Sequence, residues 1–100
     1  MVIKHYILDG HAPVAVDLLT WAKWYEQPDR RLVAKTSPAD GIKVSTVFLG
    51  FDHQWGDGPP LLFETMIFCG EHDGYQERYS TWEEAEAGHK KACELAGVEP

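Results

Sequence analysis

Between Ile42 and Cys69 the chain carries two apolar runs that share a boundary no helix can cross. Ile42 to Phe51 holds Val44, Val47, Phe48, Leu49 and Phe51, and Leu61 to Cys69 is a segment of the same kind. β-Branched and aromatic side chains of this sort suit a pleated, half-buried surface. The nine residues between them, Asp52 to Pro60, include two glycines and two prolines. Such residues break regular structure and favour chain reversal. The pair therefore reads as an antiparallel hairpin with a loop longer than the usual run of roughly two to five residues. A two-stranded hairpin is marginal in water, so the rest of the chain must cover it.

The covering element is written after Tyr79. Ser80-Thr81-Trp82-Glu83-Glu84 offers two overlapping capping boxes, Ser80 with Glu83 and Thr81 with Glu84. Trp82, Ala85, His89, Ala92 and Ala96 then recur every three or four residues, and Gly97 stands where a C-terminal cap belongs. This spacing predicts a helix over 82–95. Its small residues, Ala85, Gly88, Ala92 and Ala96, let it lie close to a sheet. Glu83, Glu84 and Glu86 before Lys90 and Lys91 suit the helix dipole.

Upstream, residues 2–8 read as a strand ended by Asp9-Gly10. A helix follows, begun either at Pro13 or by Asp17 as N-cap, and stopped by Pro28. Val14, Leu18, Trp21, Ala22 and Tyr25 would share one face of it, with Trp24 off that stripe. Arg30 to Lys35 and Tyr75 to Tyr79 read as further strands, the latter after the turn Glu71-His72-Asp73-Gly74. The order β-α-β-β-β-β-α predicts an α+β fold, a largely antiparallel sheet of four to five strands with two helices on one face.

At 100 residues and 11.3 kDa the chain is a single domain, 1–100. A chain of this mass buries about 65% of its unfolded surface, enough for one core without staples. Nine Lys+Arg against sixteen Asp+Glu leave a formal charge of −7. That balance repels phosphate and argues against nucleic acid and anionic membranes as partners. A DNA mimic is poorly supported too, since the acids form no single run. No apolar stretch approaches the roughly 18 residues of a membrane span. Met1 to Tyr6 lacks the layout of a signal peptide, so a cytoplasmic chain is expected. Cys69 and Cys93, with no CxxC motif, are then expected as free thiols.

Chemistry-bearing residues are few. Asp52-His53, at the mouth of the long loop, has the groups for a divalent ion or an oriented base. The simpler reading is a turn capped by Asp52 and a solvated His53. Glu64 sits inside an apolar strand, where alternation makes both faces mostly apolar and predicts a covered surface. A buried carboxylate needs a partner, and Arg78 in the next strand is the expected one. His89 falls on the inward stripe of the last helix and reads as a core histidine with one hydrogen bond. Glu71-His72-Asp73 reads as a solvated turn. Gly56 to Pro60 is no phosphate loop, because no helix follows and Asp57 repels anions. Phe48, Phe51, Trp55, Tyr75 and Tyr79 fit an aromatic core better than a base-stacking platform.

Three phrases have a recognisable wording: Ser45-Thr46-Val47-Phe48-Leu49-Gly50-Phe51-Asp52-His53, Gly58-Pro59-Pro60-Leu61-Leu62-Phe63-Glu64-Thr65-Met66-Ile67-Phe68, and Tyr79-Ser80-Thr81-Trp82-Glu83-Glu84-Ala85-Glu86-Ala87-Gly88-His89. Together, over about residues 44 to 89, they resemble small uncharacterised proteins of tailed bacteriophages and prophages. The resemblance implies a phage origin and action in the bacterial host cytoplasm, and it transfers no residue role. The expectation is a non-enzymatic, homo-oligomeric accessory protein that binds a host protein or a small signalling ligand, counter-defence being one such role. Trp24, Asp52, His53, Trp55 and Glu64 are its candidate contacts. The alternative is a small metal-dependent hydrolase or nucleotide-processing enzyme using Asp52, His53 and Glu64, assisted by His72 or His89. The sequence specifies no cofactor.

Overall fold

The structure, a computed structural model, describes residues 4–38, 41–52 and 57–100. Strands β1 (His5–Asp9) and β2 (Ala12–Val16) precede helix α1 (Leu18–Tyr25) and one turn of 3-10 helix (Pro28–Arg31). Strands β3 (Leu32–Thr36), β4 (Lys43–Phe48), β5 (Phe63–Phe68) and β6 (Gln76–Tyr79) lead into helix α2 (Trp82–Ala96). β3-β4-β5-β6 form one antiparallel sheet in sequence order, and β1-β2 form a second, two-stranded one. The fold is α+β.

The long hairpin organises the core. Its register sets Val44 beside Ile67, Thr46 beside Thr65 and Phe48 beside Phe63, and all six side chains are buried. Cross-strand partners share a face, so these six make one surface, and α2 lies across all four strands. At one end Val44 and Ile67 meet Ala92 and Cys93; at the other Phe48, Leu62 and Phe63 meet Ala85. Thr81 and Glu84 close the N-terminal capping box, and Gly97 ends the helix in the left-handed region. Of the two overlapping boxes, the second is the one used. Both cysteines are free thiols.

Of the two expected helix starts, Asp17 is the one used: its carboxylate accepts from the Thr20 N–H at 2.8 Å, and residues 12–16 form a strand in place of a helix begun at Pro13. Backbone parity explains how a strand tolerates Pro13. The Tyr6 N–H points away from β2, donating to the Gly50 carbonyl at 2.7 Å. Alternation then turns the backbone groups of Ala12, Val14 and Val16 toward β1 and those of Pro13 and Ala15 outward. The missing N–H of Pro13 thus falls on a free edge, where proline is accommodated. Val14 consequently leaves the helical stripe.

Ring contacts help fasten this N-terminal part to helix α2 and to the main sheet. His11, in the β1-β2 turn, stacks on Trp82 with ring centres 3.8 Å apart. Trp24 meets Phe48 edge-on at 5.6 Å, on the face that α2 covers. Between them, Gly50 (φ +83) bends the chain after β4, and a Cβ there would lie 2.7 Å from the Trp21 indole nitrogen. Only glycine fits that joint.

The opposite face of the sheet, with Lys43, Ser45, Val47, Glu64, Met66 and Phe68, has no described element over it. Met66 is half-buried and Phe68 exposed. This corrects the expectation of a covered surface around Glu64. Long polar side chains do the shielding instead, as where the Lys43 ammonium sits 4.6 Å above the Phe68 ring.

The tightest approach of helix to sheet is at Gly88, where an added Cβ would fall 2.1 Å from the Tyr79 hydroxyl. Gly88→Ala should therefore lower unfolding free energy by about 1–3 kcal/mol through overpacking, despite alanine's better helix propensity. Urea denaturation of the variant checks this; an increase in stability would show that the ring yields freely.

Candidate functional site

The residues singled out in the sequence do not gather in one place. Glu64 lies opposite Arg78 across β5 and β6, and its Oε2 accepts from Arg78 Nε at 2.9 Å and from the Gln76 amide. Its side chain is 12% exposed, so the expected ion pair is present on a half-buried face. Asp52 Oδ1 accepts from the Leu61 N–H at 3.0 Å, bracing the two ends of the long loop. Trp24 packs on Phe48, across the sheet from Glu64. His53 and Trp55 lie outside the described residues. Among the described residues, no three His, Cys, Asp or Glu side chains are grouped to hold a metal ion.

A different set of polar groups converges under α2. His89, 3% exposed, places Nε2 2.9 Å from the Thr36 hydroxyl and Nδ1 2.8 Å from that of Thr46. Thr46 in turn lies 2.5 Å from the Thr65 hydroxyl. Strands β3, β4 and β5 each contribute one threonine, and α2 supplies the imidazole. A neutral imidazole has one donor and one acceptor, and rotating hydroxyls match either arrangement. Burial holds the His89 pKa below the ordinary histidine range. The Tyr79 phenol on β6 extends the row. Burial pushes it above its usual range, and the Thr65 hydroxyl, near but outside hydrogen-bond geometry, pulls the other way.

A hydroxyl 2.8 Å from an imidazole is also the geometry of an activated nucleophile. Here Thr46 and Thr65 are wholly buried, and substrate has no path to them. The array is a structural seam. Its signal in the sequence was the inward phase of Thr46, Thr65 and His89, which periodicity gives one element at a time; the second partner of His89 depends on the β3-β4 register.

An open concavity lies at the other end of α2. A groove of about 340 Å³ runs between the C-terminal turn of the helix and the β5-β6 connection. Ile42, Ile67, Leu95 and Ala96 line it with hydrocarbon, and Cys69, Glu71 and His72 form the connection side. That side is firmly built. The Cys69 N–H donates to Asp73 Oδ1 at 2.6 Å, and the Gly74 N–H to the Ile67 carbonyl at 2.9 Å. Cys69 itself adopts φ 71, a left-handed conformation that costs a non-glycine residue about 1–2 kcal/mol and is held by these bonds. The sequence predicts a solvated turn at Glu71-His72-Asp73. His72 is in fact half-buried, because the turn folds back toward Leu95.

Compared with protein-family models, with curated proteins and with solved structures, the chain has no match. The functional reading therefore rests on the geometry and on the wording of the sequence.

His89 makes stability pH-dependent with a definite sign. The unfolded chain takes up a proton near pH 6.5, which the folded chain, with its lowered pKa, refuses until lower pH. The contribution is full above about pH 6.5 and is lost as pH falls toward the folded value. Urea unfolding between pH 7.5 and 5.5 should show stability falling with pH, and His89→Gln should remove part of that slope. Thr46→Val, which strands both His89 Nδ1 and the Thr65 hydroxyl, should cost about 1–3 kcal/mol at pH 7.5.

Proposed function

We propose that this chain is a small phage accessory protein that acts in the bacterial host cytoplasm by binding a host protein, without chemistry of its own. One observation carries the reading: the surface offers a pre-built groove with an apolar floor, in which Leu95 stands 44% exposed. Its connection side is pinned by Asp73, so little ordering remains to oppose association. The resemblance over residues 44 to 89 supports the phage origin.

The groups that would serve catalysis have structural work instead. Glu64 is held by Arg78 and Gln76, and His89 by Thr36 and Thr46. The hydrolase reading required Glu64 to join Asp52 and His53 on one ion. Its carboxylate faces an arginine, so that reading is not adopted.

The test uses a photo-reactive residue at position 72, on the groove, in bacterial cells, with a second at position 19 as control. Leu19 is 70% exposed and lies on α1, outside the groove lining. One host protein should crosslink from position 72 and not from 19. Adding Leu95→Gln should reduce the yield at least about tenfold, the ~1.4 kcal/mol worth of one lost apolar contact, with an unchanged melting temperature. Crosslinks indifferent to Leu95, or turnover of a nucleotide or phosphodiester by the purified protein with divalent ions, would overturn the reading.

A further inference from the structure

We propose that the group this groove takes from its partner is a cation, the side chain of a lysine or arginine; the inference rests on the binding reading above and names what is bound. Three features of the groove converge on it. The first is the lining: Ile42, Ile67 and Leu95 give a hydrocarbon floor, Glu71 gives a carboxylate, and no lysine or arginine is among the lining residues. Lysine and arginine are the side chains built to match this, with an aliphatic stem for the floor and a charged head for the rim.

The second feature is the end of α2. A helix C-terminus carries partial negative charge, and chains commonly place a basic residue in the last turn to offset it. This 15-residue helix has acids in its first turn, as expected, and no basic residue in its last. Lys90 and Lys91 come before that turn, while Glu94 falls within it and Glu99 follows the cap. The helix itself leaves its negative end without a basic residue, and it is the end that forms the groove.

The third feature is a pair of carbonyls. Gly97 and Val98 donate their N–H groups to the carbonyls of Cys93 and Glu94. Of the last four helical carbonyls, those of Leu95 and Ala96 remain beyond this closure, and both residues line the groove. They are acceptors for an ammonium or guanidinium head. A bare divalent ion fits less well, because it requires six or more oxygen ligands and Glu71 is the one carboxylate among the described residues of the lining. The volume, about 340 Å³, lies at the small end of ligand pockets and suits one side chain with its flanking backbone.

The experiment is an amide chemical-shift titration of the full chain with Nα-acetyl-lysine amide, Nα-acetyl-arginine amide and Nα-acetyl-norleucine amide. Norleucine keeps the stem and lacks the charge. The lysine and arginine compounds should shift Ile67, Leu95, Ala96 and Gly97 and bind about two- to fivefold more tightly than norleucine, the range of one helix-terminus charge. Glu71→Gln and 0.5 M salt should each shrink that margin. Equal or tighter binding of norleucine overturns the cation and leaves the groove as a binding surface. Shifts confined to other residues overturn the site. No crosslink from position 72, or one that a change at Leu95 leaves intact, is a separate result that would remove the binding reading itself.

Discussion

An imidazole placed between a helix and a sheet has to be answered on both nitrogens, and that requirement fixes how the rest of this molecule is assembled. His89 bonds Thr36 on β3 and Thr46 on β4, and Thr46 passes the chain of hydrogen bonds to Thr65 on β5. A one-residue slip of β4 against β5 would turn one threonine to the open face and leave its partner unsatisfied. Sliding α2 by one residue would rotate His89 away from the row. The apolar contacts on either side, Val44 and Ile67 with Ala92, Phe48 and Phe63 with Ala85, supply the bulk of the burial. They tolerate small shifts that a hydrogen-bonded row does not. Burial of the hydrophobes favours docking α2 somewhere on this face, and the seam chooses where.

That choice sets the position of everything at the helix ends. At the N-terminal end, Trp82 is presented to His11 and so ties down the β1-β2 hairpin. Gly50 lets the strand bend back to meet it, close against Trp21 and Tyr25. At the C-terminal end, the same docking brings Leu95 and Ala96 over Ile67 and opposite the β5-β6 connection. The groove is the gap between a helix whose length is set by its capping box and glycine cap, and a connection whose shape is set by Asp73. Neither wall depends on an occupant for its geometry.

How much of this the sequence disclosed depends on the range over which each feature is decided. Helix α2 was legible within a residue, because its caps and its three-to-four spacing are local. The β4-β5 hairpin was legible from alternation and from the glycines and prolines between its strands. The Glu64–Arg78 pair followed from strand adjacency alone. Residues 12–16 were misread because Pro13 begins helices as readily as it sits on a strand edge. The fact that decides between the two, the Tyr6 N–H turned toward Gly50, is a contact across 44 positions of chain. The surroundings of Glu64 were misread for a related reason: an apolar strand looks the same whether its second face is covered by a helix or shielded by lysine and arginine stems. The groove was not legible at all. Its lining comes from Ile42, from the turn after β5 and from the end of α2, and no single stretch has a pattern that announces it.

The charge of the chain takes on a more definite meaning once the groove is placed. A net −7 repels phosphate and so argues against nucleic acid. By the same electrostatics a negative surface attracts cationic segments and would raise the rate at which the proposed basic partner arrives. Diffuse attraction of this kind does not select a site, since it acts over the whole surface and is screened within about 8 Å at physiological salt. Selection requires a place where a cation gains more than it gains elsewhere. Most surface carboxylates offer only the water-screened attraction of one charge. At the end of α2 a carboxylate, two spare carbonyls and a helix terminus with no basic residue in its last turn lie beside hydrocarbon that displaces water from the stem of the arriving side chain. In the proposed reading, long-range charge brings a basic partner to the protein, and the short-range chemistry of Glu71, Leu95 and Ala96 decides where it stays.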